Sequence, residues 1–181
     1  MPDYRRLRQP GATWFFTVNL LDRKSSLLVD QIGEPRRAVH RVKCRRPFRI
    51  EAMVILPDHL HCVWTLPEGD ADYSTRWRLI RSAFSKVQPL TEWRSPAREK
   101  RHERAIWQRR FWEHCIRDDR DFAAHVAYCY LNPVKHGLVE RVRDWPHSTF
   151  HRDVRLGRQE PDWTLADAKG IWGEANDRRA D

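Results

Sequence analysis

Residues 57–66, with the sequence PDHLHCVWTL, restrict the fold more than any other segment of the chain. The aliphatic and aromatic residues after Asp58 predict a β-strand, and side chains alternate between the two faces of a strand. His59 and His61 therefore point to the same face, while Leu60 and Cys62 point to the other. Two neighbouring imidazoles on a sheet can form half of a metal site, but a His-x-His pair in a strand is more often structural.

Charge and length narrow the class of protein. The 181 residues include 34 Lys and Arg against 25 Asp and Glu, which gives a net charge of +9. Arginine binds phosphates with paired hydrogen bonds and stacks on bases, so a chain rich in Arg and Trp favours a nucleic-acid partner. An arginine-rich proteome would give the same composition. The sequence has no long apolar run and no apolar leader, so we expect a cytoplasmic, nucleoid-associated protein that does not contact a membrane.

The cysteines lie far apart and form no CxxC pair. Scattered cysteines in a cytosolic chain are usually reduced, so we expect no disulfides. A zinc cluster formed by His59, His61, Cys62 and Cys115 would match no common spacing of zinc ligands. A zinc-dependent hydrolase is therefore only an alternative interpretation.

The order of predicted elements indicates an α+β fold. Strands are predicted at 12–21, 48–56, 59–66 and within 106–115, with helices at about 35–46, 74–87 and 118–131. This order suits a ferredoxin-like sandwich, an antiparallel sheet with helices packed mainly on one face. Asn132-Pro133 is expected to end the last helix. Residues 89–105 are predicted to form a basic loop, residues 1–151 the functional domain, and residues 152–181 a loosely docked C-terminal tail.

The last predicted helix carries a polar stripe. At about 100° per residue, Asp121, His125, Tyr128 and Asn132 fall on the same side, with Tyr128 one turn before Asn132. Tyr130 lies roughly 160° away from Tyr128 by the same geometry. Taken singly, a helix tyrosine usually packs in a core, and an Asn before Pro is usually a cap or turn residue.

Together with the histidine strand, this stripe suggests a specific chemistry. His59, His61 and the side-chain oxygen of Asn132 would bind Mg²⁺ or Mn²⁺ and leave positions open for phosphate oxygens. The phenolate of Tyr128 would attack the phosphorus of a phosphodiester, forming a phosphotyrosyl intermediate and a free 3′ hydroxyl. Periodicity alone does not show that the strand and the helix face each other.

The motifs resemble those of the single-tyrosine HUH transposases, and more narrowly the REP-associated tyrosine transposases, which are relatives of the IS200/IS605 transposases. They occur in the right order along residues 4–151: YRR at 4–6, PG at 10–11, FFTVN at 15–19, LPDHLHCVW at 56–64, DYSTRW at 72–77, WQRRFWEH at 107–114, YCYLNPVKHG at 128–137 and DWPHS at 144–148. By this resemblance, His59 and His61 are the metal histidines, Tyr128 is the nucleophile and Asn132 is the third ligand. The chain departs from the family pattern at Tyr130, where we expect His.

The resemblance implies a metal-dependent, single-strand-specific DNA endonuclease and strand transferase. Its substrates would be hairpin-forming repetitive extragenic palindromes, and its partner single-stranded or hairpin DNA. We expect a monomer or a homodimer, because relatives of this fold can exchange the tyrosine helix between subunits. A hairpin-binding protein without relevant nuclease activity is the alternative.

Basic and aromatic side chains outside these motif positions are candidates for DNA contacts. The helix arginines would bind phosphates, although a solvated helix face is an equal alternative, and Trp107 or Trp112 would stack an unpaired base while at least one of them packs in the core. The expected DNA-binding residues are Arg36, Arg37, Arg41, Arg45, Arg46, Arg104, Trp107, Arg109, Arg110 and Trp112.

Overall fold

The computed structural model describes residues 7–168. The YRR motif at 4–6 and residues 169–181 of the predicted tail lie outside the described residues. Within the described part, no helix combines the length and the apolar character needed to cross a membrane.

Four antiparallel strands form a single sheet: β1 (Thr13–Asn19), β2 (Arg49–Ile55), β3 (His59–Thr65) and β4 (Trp112–Cys115). The strand order is β2-β3-β1-β4, so β1 and β3 are central and β2 and β4 lie at the edges. This order, with long helices between β1 and β2 and between β3 and β4, confirms the predicted α+β, ferredoxin-like fold.

The helices follow the predicted order with additional short turns. A 3₁₀ helix spans Val142–Asp144, and the α-helices are α1 (Leu27–Asp30), α2 (Gly33–Arg45), α3 (Tyr73–Lys86), α4 (Pro96–Lys100), α5 (Asp119–Lys135), α6 (Phe150–Arg155) and α7 (Leu165–Ala168). Helix α3 begins where the sequence predicts, because the Asp72 side chain accepts a hydrogen bond from the Thr75 N–H at 2.9 Å and caps the helix. The predicted basic loop contains the short helix α4.

Alternation along the central strands separates two apolar layers. Phe16 and Trp64 point to the face covered by α2 and α3. Phe15 and Val63 point to the opposite face, where α5 and α6 pack. Helices α2 and α3 thus share the predicted helical face, and α5 covers the face on which His59 and His61 lie.

Helix α5 extends beyond the predicted end, and the prediction that Asn132-Pro133 terminates it is wrong. Pro133 lacks an N–H and removes one main-chain hydrogen bond, but its fixed φ remains compatible with a helix. The next turn is closed by the His136 N–H, which donates to the Asn132 carbonyl at 3.0 Å. The extra turn carries Lys135 to the end of the polar stripe and places His136 just beyond it.

The segment after residue 151 contacts the second apolar layer, which is the one between the sheet and α5. Arg152 donates to the carbonyl oxygen of Ile50 at 2.8 Å, and Trp163 and Ala168 pack against the α5 layer. The proposed boundary between residues 151 and 152 stays a prediction.

Candidate active site

His59 and His61 lie side by side on β3, beneath α5. Both are almost completely buried, at 3% and 2% exposure, and their ring centroids are 4.8 Å apart. Each ring is held through Nδ1: Asp58 Oδ1 lies 2.7 Å from His59 Nδ1, and Thr17 Oγ1 lies 2.8 Å from His61 Nδ1. Contacts of this kind fix the orientation of histidines in metal sites, and with Nδ1 engaged, Nε2 would be the nitrogen through which either ring could bind a metal.

The charge state of these groups suits metal binding. Burial, followed by the charges of His59 and His136, holds the pKa of His61 well below its usual range. A metal binds the neutral imidazole, which is therefore the form already present. Burial opposes ionisation of Asp58, but contacts with His59 and with Arg23 at 2.6 Å lower the pKa of this carboxyl overall.

Tyr128 projects from α5 toward the histidine strand. Its ring stands edge-on to His61, with centroids 4.9 Å apart and an interplanar angle of 82°. Phe15 of β1 packs against both rings, 5.6 Å from each centroid. The Nζ of Lys135 lies 5.7 Å from the centroid of the Tyr128 ring, so a positive charge borders the phenol.

Tyr130 points away from this site. It is buried in the second apolar layer, and its hydroxyl donates a hydrogen bond to Asp153. Burial and the Asp153 carboxylate raise the pKa of Tyr130 far above its usual value. The structure therefore brings Tyr128, and not Tyr130, next to His61, in keeping with the helical phase.

Unpartnered polar atoms mark the interior of the site. His61 Nε2 and both side-chain atoms of Asn132, Oδ1 and Nδ2, are buried without a hydrogen-bond partner among the described residues. Buried polar groups without partners are costly, so their presence calls for an explanation such as an ion. An imidazole nitrogen and an amide oxygen are suitable donors for Mg²⁺ or Mn²⁺, and the residues thus fit the metal that the resemblance implies.

His136 is a residue of this site that the sequence reasoning missed. Its ring lies 5.1 Å from the ring of His59. His136 reaches this position only because α5 continues through Pro133. The sequence feature that could have pointed to it is the Lys-His-Gly segment directly after Val134.

A second polar cluster joins β4 to α5. His114 Nε2 lies 2.8 Å from one Asp121 carboxylate oxygen, and His125 Nδ1 lies 3.0 Å from the other. The ligand atoms of these three residues lie within 4.8 Å of one another, a spacing that a metal ion would tolerate. However, Asp121 also accepts hydrogen bonds from the N–H and the guanidinium of Arg117, so its carboxylate already has a full set of donors. The sequence reasoning placed Asp121 and His125 on the stripe but missed His114.

The helix arginines predicted to bind DNA are all exposed on or directly after α2. Three of them have protein partners: Arg36 donates to the Pro146 carbonyl, Arg37 pairs with Glu34, and Arg46 pairs with Asp72. Among the described residues, Arg41 and Arg45 form no ion pair.

The candidates from the 104–112 segment have different environments. Arg104 pairs with Glu92 and donates to main-chain carbonyls, and Trp107 is buried, with its Nε1–H donating to Ser85 Oγ at 3.1 Å. Arg109 pairs with Glu103 at 2.9 Å. Arg109, Arg110 and Trp112 are all exposed, and of the three only Arg109 forms an ion pair among the described residues.

Comparison with known proteins identifies the family. No family model matches the chain. The chain is 52% identical over 163 residues to a REP-associated tyrosine transposase of Escherichia coli (strain K12), and the match covers 90% of this chain and 91% of that protein. It is also similar to a solved REP-associated tyrosine transposase bound to a REP hairpin, with a TM-score of 0.78, 51% identity and coverage of 91% of this chain and 92% of that one. The chain therefore belongs to the REP-associated tyrosine transposases.

Proposed function

We propose that this protein cleaves and rejoins single-stranded DNA at hairpin-forming palindromes, with Tyr128 as the nucleophile. One observation carries the proposal: the Tyr128 ring contacts His61, whose Nε2 is buried and unpartnered, as is the amide of Asn132 one helical turn away. A tyrosine that only packs in the core would not need an unpartnered imidazole nitrogen and an unpartnered amide beside it.

His59, His61 and Asn132 would hold Mg²⁺ or Mn²⁺. When bound, the metal would polarise a non-bridging phosphate oxygen and neutralise charge that develops there. The protein's own contribution is to fix the donors before DNA arrives, through Asp58, Thr17 and the packing of α5 on β3.

Tyr128 would perform the covalent step. Its phenolate oxygen forms a bond to phosphorus while the bond from phosphorus to the 3′ oxygen breaks, and the 3′ oxygen leaves as a hydroxyl after taking a proton. The phosphotyrosine linkage conserves the energy of the phosphodiester, so a second 3′ hydroxyl can reverse the step on another strand without ATP. Lys135 supports this role, because its ammonium group lies 5.7 Å from the Tyr128 ring centroid and would attract a phosphate brought to that ring.

The hairpin is the part of the proposed substrate that the comparisons support best, because the solved relative is bound to a REP hairpin. Exposed arginines on α2, including Arg41 and Arg45, offer free cations for the phosphates of such a stem.

The test is covalent trapping. The protein is incubated with single-stranded palindromic oligonucleotides and Mg²⁺, and a DNA-protein adduct is sought on a denaturing gel. We expect an adduct that Tyr128→Phe abolishes and that Tyr130→Phe, the matched control two residues away, preserves. His61→Ala should abolish cleavage and leave hairpin affinity nearly unchanged.

Two results would contradict the proposal. Absence of an adduct across a panel of palindromes would remove the catalytic claim and leave a hairpin-binding protein. If Tyr128→Phe cleaved DNA fully and Tyr130→Phe did not, the nucleophile would be Tyr130 and the proposed role of Tyr128 would be wrong.

A further inference from the structure

The segment between α3 and β4 carries exposed apolar side chains together with several cations. Trp93 is 81% exposed and Leu90 is 74% exposed, which is unusual for side chains of their size. Four cations follow Trp93 closely in the chain and on α4. We call this group the Trp93 surface: Leu90, Trp93, Arg94, Arg98, Lys100 and Arg101.

The base of this segment is fixed although its tip is exposed. The Arg104 guanidinium pairs with Glu92 and donates to the carbonyl oxygens of Ser85 and Pro89, each at 2.8 Å. Arg98 adds a hydrogen bond to the Arg104 carbonyl at 3.0 Å. An anchored segment loses little conformational freedom on binding, which favours a binding role.

The segment returns to the sheet at the end that carries His59. The Leu21 N–H donates to the Ile106 carbonyl at 2.9 Å, and the Gln108 N–H donates to the Asn19 carbonyl at 3.1 Å. Asn19 is the β1 partner of His59 in the sheet register. DNA that enters the active site at this end of the sheet would pass the stem of the segment.

The charges of the surface are available to a ligand. Glu92 is neutralised by Arg104, and Glu103 by Arg109. Within residues 7–168, Arg94, Lys100 and Arg101 form no ion pair, so the surface carries an excess of positive charge that Glu99 offsets only in part.

We propose that the Trp93 surface binds unpaired DNA bases, with one base stacked on the Trp93 indole and the neighbouring phosphates bound by the cations. An exposed aromatic ring on a segment rich in arginine and lysine matches the way proteins bind single strands without reading their sequence. The centre of a protein–protein interface is depleted of charged residues and of lysine, so the unpaired cations beside Trp93 in the chain favour a polyanionic ligand. The inference rests on the proposed function only in that DNA is taken as the ligand.

The test measures the affinity of the purified full chain for a labelled oligothymidylate, by fluorescence anisotropy at fixed salt. Loss of one stacked base costs about 1–3 kcal/mol, so Trp93→Ala should weaken binding about 5- to 150-fold. Trp93→Phe should retain most of the affinity of the unmodified protein, because a phenyl ring still stacks on a base. Leu156→Ala, which truncates an apolar side chain that is 56% exposed on another part of the surface, is the control and should bind as the unmodified protein does.

The outcomes separate this inference from the proposed function. Equal affinity of Trp93→Ala and the unmodified chain for oligothymidylate would overturn it. So would a change in oligomeric state by light scattering with no change in DNA affinity, since the surface would then join two copies of the chain. Failure of adduct formation by the unmodified protein would instead contradict the proposed cleavage and leave the Trp93 result valid.

Discussion

Asp58 Oδ1 lies 2.7 Å from His59 Nδ1, although the two residues are adjacent in sequence and His59 belongs to β3. The contact occurs at the turn between β2 and β3, where the Asp58 carbonyl also accepts the Leu20 N–H at 2.7 Å. The turn is therefore tied to the end of β1, and the carboxylate has a fixed position from which to orient the imidazole.

Removal of this carboxylate should weaken metal binding. Loss of such an outer partner of a metal histidine typically reduces affinity about 10- to 100-fold, so we expect Asp58→Ala to show this loss for Mn²⁺ by titration calorimetry. Asp22→Asn, a change at an exposed carboxylate on the neighbouring turn, is the control and should leave the affinity unchanged. Unaltered Mn²⁺ affinity in Asp58→Ala would show that His59 needs no support from Asp58.

Tyr130→Phe should lower stability without removing the nucleophile. The change deletes the hydroxyl that donates to the buried Asp153 carboxylate, and a hydrogen bond to a charged group contributes about 1.5–3 kcal/mol. Urea unfolding followed by circular dichroism measures the difference. A stability equal to that of the unmodified chain would mean that Arg152 alone satisfies Asp153.

Arg76 is expected to be a major contributor to stability, although it is an arginine in a DNA-binding family. It is 1% exposed, pairs with Asp70 at 2.7 Å and donates to the carbonyl oxygens of Arg46, Asp72 and Pro47. Arg76→Met should reduce the free energy of unfolding by about 3 kcal/mol, because it leaves several buried acceptors unpaired.

The exposed Arg78 on the same helix provides the control, since Arg78→Met should change stability by less than about 0.5 kcal/mol. Denaturant unfolding of both variants under the same conditions makes the comparison. Similar losses in the two variants would show that the buried hydrogen bonds of Arg76 add little.

Stability should fall as the pH decreases below about 6.5. Burial, only partly offset by Asp121, lowers the pKa of His125, so the unfolded chain takes up a proton that the folded chain excludes. The contribution is fully present above the unfolded pKa, and below it the free energy of unfolding decreases by up to about 1.4 kcal/mol per pH unit for each such histidine.

His125→Gln should therefore flatten the pH dependence of urea unfolding between pH 5 and pH 7, relative to the unmodified chain. Measurements in EDTA keep bound metal out of the comparison, and this pH range lies above the titration of Asp121, whose pKa is itself lowered. An unchanged slope in the variant would assign the pH dependence to other buried histidines.

Local patterns were sufficient to predict what depends on a single element. Alternation along residues 59–66 placed His59 and His61 on the same face, and helical phase separated Tyr128 from Tyr130. Both are properties of backbone geometry and hold wherever the element packs. The ferredoxin-like fold was predicted from the order of strands and helices along the chain.

Features that depend on distant partners were not predictable. Arg104 and Trp107 matched a DNA-binding composition, but folding places them against Glu92 and Ser85, and Arg104 also against the carbonyls that end α3. Trp93, which remains exposed, gave no signal that distinguishes it from the chain's other tryptophans. The continuation of α5 through Pro133 was missed because tertiary burial of the helix outweighs the loss of one hydrogen bond.

The proposed nucleophile lies on α5 and the proposed metal histidines lie on β3, so neither element alone would form the proposed active site. Helix α5 meets β3 through side-chain packing, and the cluster around Asp121 ties the same helix to β4. Detachment of this one helix would separate the phenol from the imidazoles while the sheet and its other two helices stay intact. The proposed DNA cleavage would thus depend on the packing of α5 against β3. On mild denaturation, cleavage should be lost before the rest of the fold unfolds.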